Sequence, residues 1–262
     1  MPDDSPVQPK KVLFEVRGLE KDFSGNKILR GIDLDIFEGE CLLVAGPNGS
    51  GKTILMRILA GLLEPGSGTI YFNGEALDTV LKKNSSFRRQ LGIIFQDADA
   101  QFVGDTVEED TAFGPSNLGL NKTEIASRVS SVLEKTGLEE KRNLSPRNLS
   151  GGEKRRLATA GILAMGCRII IMDEPFANLD KPGVVQVLQI IQKLKKEGIT
   201  IIILSHELEK VLAFTDRLVI LHQGRIADDG KPEEVLNRLQ DEYGIRDPRH
   251  VYKTVEDCSW LE

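Results

Sequence analysis

The stretch GPNGSGKT, residues 46–53, fits the spacing G-x-x-x-x-G-K-[S/T]. A turn built from Gly46, Pro47, Asn48, Gly49, Ser50 and Gly51 lets several backbone N–H groups converge on phosphate oxygens. The N-terminus of a following helix adds partial positive charge. Lys52 would bring a full charge to the β- and γ-phosphates, and Thr53 a hydroxyl to Mg²⁺. Further on, RIIIMDEP ends an apolar run in two acids, Asp173 and Glu174. Successive side chains of a strand point to opposite faces, so the two acids divide the work. Asp173 is suited to hold Mg²⁺ and Glu174 to polarise an attacking water. Between these motifs lies LSGGEKRRLATAGILA. Ser150 and Glu153 have the form of a capping box, which explains neither Gly151 nor Gly152. Each glycine costs a helix about 0.5–1 kcal/mol relative to Ala, so a helix that only had to pack would use other residues.

The elements around these motifs are those that open α/β sheets need. CLLVA precedes the phosphate loop as a short apolar strand, and a helix opens near Lys52 and ends by Gly61. VLFEVRGL, GIDLDI and GTIYFNG read as β-prone segments separated by turns, and LGIIF as a buried strand. The middle of the chain is helical. Asn121 and Glu124 form a capping pair, Ile125, Val129, Val132 and Leu133 fall on one face, and Gly137 stops the helix. After the Ser150 helix, strands and helices alternate: RIIIMDE, a helix from about Pro182, ITIIILS, a helix near His206, RLVILHQG, then the amphipathic KPEEVLNRLQ. Such alternation implies a parallel sheet covered on both faces, with the middle helices as an insertion.

Composition narrows the classes. With 40% hydrophobic and 28% charged residues, the 262-residue chain has a globular profile. A net charge of −6 gives no support for nucleic-acid binding, which needs a basic face. Cys41, Cys167 and Cys258 lack metal-ligand spacing and read as buried thiols in a reducing compartment. The most apolar stretch, GILAMGCRIIIM, is shorter than a membrane span and contains Arg168. Residues 1–11 are polar and Pro-rich, which predicts a flexible tail rather than a secretory signal.

Taken in order, these motifs resemble the ATP-binding cassette (ABC) ATPases, with LSGGEKRR similar to the ABC signature. The resemblance implies an α/β P-loop NTPase fold over residues 12–240, with residues 241–262 as a C-terminal extension. It has a RecA-like parallel-sheet core, an N-terminal antiparallel β part and an inserted helical subdomain at about residues 97–165. It implies ATP hydrolysis with Mg²⁺ by two cassettes, identical or paralogous, that bind head to tail. The signature of one cassette then caps the γ-phosphate held by the other. In that arrangement Gly151 and Gly152 leave N–H groups bare for a phosphate, and Ser150 turns its hydroxyl to it. Family members often have Gln where Glu153 stands, and the acid is expected to weaken phosphate affinity slightly. By the same resemblance, Gln96 touches Mg²⁺ and the attacking water and senses the membrane partner. His206 contacts the γ-phosphate, Asp180 the opposite cassette, and Phe23 the adenine ring.

The segment FQDADAQFVGDTVEEDTAFGPSNLGL, residues 95–120, is similar to energy-coupling factor (ECF) ATPases that drive uptake of vitamins and of cobalt or nickel. That subgroup usually has Asn-Pro after the Gln, where this chain has Asp97-Ala98. The resemblance implies a transmembrane coupling protein and a membrane substrate-binding component as partners, with the chain at the cytoplasmic face of the membrane. The ATPase of another ABC importer class and a soluble non-transport cassette are the alternative readings.

Overall fold

Two sheets, the helices packed on them and a group of three stacked helices form the computed structural model, which describes residues 11–83, 86–97 and 99–250. The tail expected at residues 1–11, except Lys11, lies outside the described residues, as do Ala98, Cys258 and the end of the C-terminal extension. Strands β1 (Val12–Phe23) and β2 (Asn26–Phe37) form a hairpin. Its turn holds Ser24 at φ 50° and Gly25 at φ 84°, the left-handed pair that matches strand twist. With β4 (Ser67–Phe72) and β5 (Glu75–Ala76) they make an antiparallel sheet of order β2-β1-β4-β5. The rings of Phe14, Phe72 and Phe87 meet beneath it at centroid distances of 4.9–6.2 Å.

The second sheet has the order β10-β9-β3-β8-β7-β6. Strands β3 (Cys41–Ala45), β6 (Leu91–Ile94), β7 (Ile169–Asp173), β8 (Thr200–Ser205) and β9 (Arg217–His222) run parallel. The polar edge strand β10 (Arg225–Gly230) runs antiparallel to β9. Every residue of β3, β7 and β8 is buried, because both faces are covered. Alternate residues serve different cores. Leu42, Val44, Ile169, Ile171, Ile202 and Leu204 pack with α1 (Lys52–Leu59) and the antiparallel sheet. Leu43, Ala45, Ile170, Met172, Ile201 and Ile203 pack with α7 (Lys181–Lys196).

Short helices α2 (Leu77–Lys83) and α3 (Ser86–Gln90) lead into β6. The chain then forms α4 (Val107–Asn117), α5 (Lys122–Thr136) and α6 (Gly151–Met165), which share a small core around Val107, Val129, Leu133 and Leu157. All three open on complete capping boxes, at Thr106/Glu109, Asn121/Glu124 and Ser150/Glu153. α6 also seats this group on the sheet: Ile162 fills the space over Gly92, where a Cβ would lie 2.2 Å from its Cγ2. Two further helices, α8 (Leu208–Val211) and α9 (Pro232–Asn237), follow β8 and β10. Pattern reading missed α4 because Pro115 and a weakly amphipathic face hide its period, although T-V-E-E was a legible start signal. Residues 241–249, inside the stretch that the sequence marks only as a C-terminal extension, return to the sheet. There Ile245 is buried, Tyr243 packs on His222, and Gly244 approaches Pro47.

Candidate functional site

β3 delivers its buried C-terminal end to the loop of residues 46–51, at the edge where open parallel sheets bind ligands. Gly46 has no room for a side chain: a Cβ would lie 2.2 Å from the Leu221 carbonyl oxygen and 2.7 Å from Ser50 Oγ. Gly51 caps α1 at φ 108° with no side-chain cap, so the first N–H groups of α1 are free to meet a ligand. Lys52 Nζ donates to Gly46 O at 2.6 Å and to Pro47 O at 3.2 Å, and lies 3.8 Å from Glu174 Oε1. Burial pushes the Lys52 ammonium below its ordinary pKa, against the pull of Glu174 and Asp173. Ser50 Oγ is buried without a hydrogen-bond partner.

The two acids at the end of β7 part ways. Thr53 Oγ1 donates to Asp173 Oδ2 at 3.0 Å, across 120 residues of sequence. Burial raises the Asp173 pKa and Glu174 adds to it, while Thr53, Lys52 and Arg57 oppose. Glu174 sits in the left-handed region at φ 46°, rare for a residue with a side chain. Its carboxylate accepts from Ser205 Oγ at 3.1 Å through Oε2, and its Oε1 lies 2.9 Å from His206 Nδ1. A cavity of about 300 Å³ gathers Phe23, Asn48, Gly49, Gly51, Lys52, Thr53, Gln96, Asp173 and Glu174 in its wall. Gly46, Pro47, Ser50 and His206 are not in its wall, although His206 touches Glu174, which is. Phe23 is half exposed, with Lys21 Nζ 5.4 Å from the ring centroid.

Ser150, Gly151, Gly152 and Asp180 do not line this cavity. Ser150 accepts the Glu153 N–H at 3.4 Å, and Glu153 Oε2 accepts the Ser150 N–H at 2.8 Å. Glu153 also binds Lys141. Burial raises the Glu153 pKa, but Lys141 and Ser150 outweigh it and hold the carboxyl below its usual range. Gly151 has neither a positive φ nor crowding: a Cβ would meet Asn178 O at 3.8 Å. Gly152 lies where α6 crosses α7, and a Cβ there would meet Gly183 Cα at 3.4 Å, an ordinary contact. Asp180 caps α7 by accepting the Gly183 N–H at 3.0 Å. Three residues went unseen: Ser205, whose only signal was adjacency to His206, and Arg155 and Gln101, which touch the backbone beside Gln96.

The loop fits a triphosphate on local grounds. An unpartnered buried hydroxyl, a lysine folded onto loop carbonyls and an uncapped helix start all offer groups to an anion. Comparison with known proteins agrees. The ABC transporter family matches residues 29–177. The chain is 41% identical over 225 residues to the energy-coupling factor transporter ATP-binding protein EcfA of Methanothermobacter thermautotrophicus, across 86% of this chain and 72% of that one. To the EcfA of Methanosphaera stadtmanae it is 37% identical, across 90% and 86%. Among solved structures, cbiO1 from Clostridium perfringens, described as part of the ABC transporter complex cbiONQ, matches with a TM-score of 0.81. That match has 35% identity and covers 93% of this chain and 97% of that chain. Fold and loop together define an ATP-binding protein of the P-loop class. The chain belongs to the ABC transporter family, as an ATP-binding subunit of the energy-coupling factor type, and is an ATPase. Among the described residues no helix is long and apolar enough to cross a membrane.

Proposed function

We propose that this chain is the motor subunit of an ECF-type importer, turning ATP binding and hydrolysis by a pair of cassettes into uptake of a vitamin or a transition-metal ion. The observation that carries the catalytic part is Glu174, held by Ser205 and His206 on the wall that also bears Lys52, Thr53, Asp173 and Gln96. On ATP binding, Lys52 exchanges its carbonyl partners for β- and γ-phosphate oxygens, and the Ser50 hydroxyl and the loop N–H groups of residues 48–51 close on the phosphates. Thr53, Asp173 and Gln96 would hold Mg²⁺, which offsets charge on the phosphate oxygens when bound. Glu174 takes a proton from water as the water oxygen bonds to the γ-phosphorus and the bond to the β–γ bridging oxygen breaks. His206 holds Glu174 in orientation and faces the γ-phosphate. Phe23 stacks on adenine.

Ser150, Gly151, Gly152 and Asp180 act on the other chain's nucleotide. The support is that Gly151 answers no need of its own chain. Two such cassettes close when ATP is bound, because the closed pair binds ATP better than the open chains do. Residues 97–165 and the neighbouring Gln96 would pass that closure to a transmembrane coupling protein at the cytoplasmic face, which also carries a membrane substrate-binding component. The EcfA relatives and the cbiO1 neighbour support this assembly.

Glu174→Gln tests the reading. It should keep ATP binding, lose hydrolysis by about 10²–10⁴-fold and trap the cassette pair. Tagged and recovered from native membranes with Mg·ATP, it should bring down a small transmembrane coupling protein. Hydrolysis at the wild-type rate would sink the role of Glu174. Recovery from the cytosol with ribosomal or nucleic-acid partners would overturn the transport assignment.

A further inference from the structure

Gln96 enters the cavity from the end of β6, the last strand of its sheet. β6 pairs with β7 on one side, so backbone groups on its other side need partners from elsewhere. The Gln101 side chain supplies two. Its Nε2 donates to Ile93 O at 3.0 Å, and its Oε1 accepts the Phe95 N–H at 2.9 Å. One amide thus copies the donor and acceptor that a neighbouring strand would present. The Phe95 carbonyl is taken from a different direction: Arg155 Nη1, on α6, donates to it at 2.7 Å. Both backbone groups of the residue immediately before Gln96 are therefore held by side chains. A further tie comes from the adjacent residue of α6, where Lys154 Nζ lies 2.6 Å from Asp99 Oδ1.

Arg155 is 5% exposed, a costly place for a cation. Burial lowers its pKa, against the pull of Asp173, Asp97 and Glu174. A Leu or Met would pack at this depth without that cost. A guanidinium is needed only if its donors have something to hold.

We propose that Arg155 and Gln101 are positioning residues for Gln96: together they fix its backbone entry to the cavity and tie it to α6. The inference rests on the reading of Gln96 as a residue that faces metal and water. Ser150, Gly151 and Gly152 start the same helix, roughly two turns or less from Arg155. A shift of that helix start, as when it meets a phosphate, is then carried to Gln96 through the Arg155–Phe95 bond.

A double-mutant cycle on the full-length chain tests this, with kcat and KM for Mg·ATP and the melting temperature measured for each variant. Arg155→Met and Gln101→Leu should each lower kcat about 10-fold or more, as misplacement near reacting atoms does, with KM changed less than about threefold. Added to Gln96→Ala, neither should lower kcat further, because residues acting through one group are not additive. Arg155→Lys should recover part of the loss. If Arg155→Met does not fold, the cycle with the half-buried Gln101 carries the test. Clamp variants with wild-type kcat, or losses that multiply in the double variants, overturn the inference alone. Gln96→Ala at wild-type kcat overturns it together with the assigned role of Gln96.

Discussion

Gly151→Ala separates two reasons for a glycine in the first turn of α6. If the glycine serves its own chain, alanine should harm the fold. If it serves a phosphate held by a second cassette, alanine should improve the fold and damage the reaction. Helix propensity favours Ala by about 0.5–1 kcal/mol. Nothing local opposes it: the backbone is not left-handed, the position is exposed, and the nearest atoms to an added Cβ are Asn178 O at 3.8 Å and Leu179 Cδ2 at 3.9 Å, ordinary contacts. For a chain of this size that gain corresponds to a melting temperature roughly 1–3 °C higher. The same methyl would stand where a phosphate must approach the helix N–H groups. Loss of a donor to developing phosphate charge costs about 10²-fold in rate. The assay is paired: a thermal melt and a phosphate-release rate at saturating Mg·ATP on one preparation. A melting temperature several degrees lower would show that the fold itself needs the glycine. Unchanged hydrolysis would refute the phosphate argument whatever the melt shows.

Other expectations follow from single contacts. Gly46→Ala places a Cβ 2.2 Å from the Leu221 carbonyl oxygen, so it should lower the melting temperature and weaken ATP binding more than about 10-fold by calorimetry. Unchanged affinity would contradict the tight loop. Burial raises Cys41 to about 12 and Cys167 to about 11, so both should resist alkylation in the native protein at pH 8 and react once it is unfolded. Their folded pKa values lie above the ordinary 9.0, so the unfolded chain ionises first. The associated stability is present below about pH 9 and falls as pH rises toward 12. The urea midpoint of the wild type should therefore lose ground to that of Cys41→Ala between about pH 8 and pH 10.5. A gap that widens in favour of the wild type refutes the sign.

What the sequence by itself determined is local. The spacing of Gly46 through Thr53 specifies a turn and a helix start, and the capping pairs at Asn121 and Ser150 specify where two helices begin. The apolar runs around Leu43, Ile171 and Ile203 specify strands buried on both faces, because such signals depend on neighbours within a few residues. The order β10-β9-β3-β8-β7-β6 is not written that way. Parallel strands pair across long crossovers, so Asp173 meets Thr53 only because β7 and β3 both flank β8. Glu174 meets Ser205 and His206 because its strand lies beside theirs, and the left-handed turn at Glu174 follows from that surrounding geometry. Gln101 and Arg155 lie inside quoted stretches, yet nothing in the spacing of those stretches names what either side chain holds. Their roles exist because β6 is an edge strand with open backbone groups and α6 crosses it, and an edge is a property of the assembled sheet.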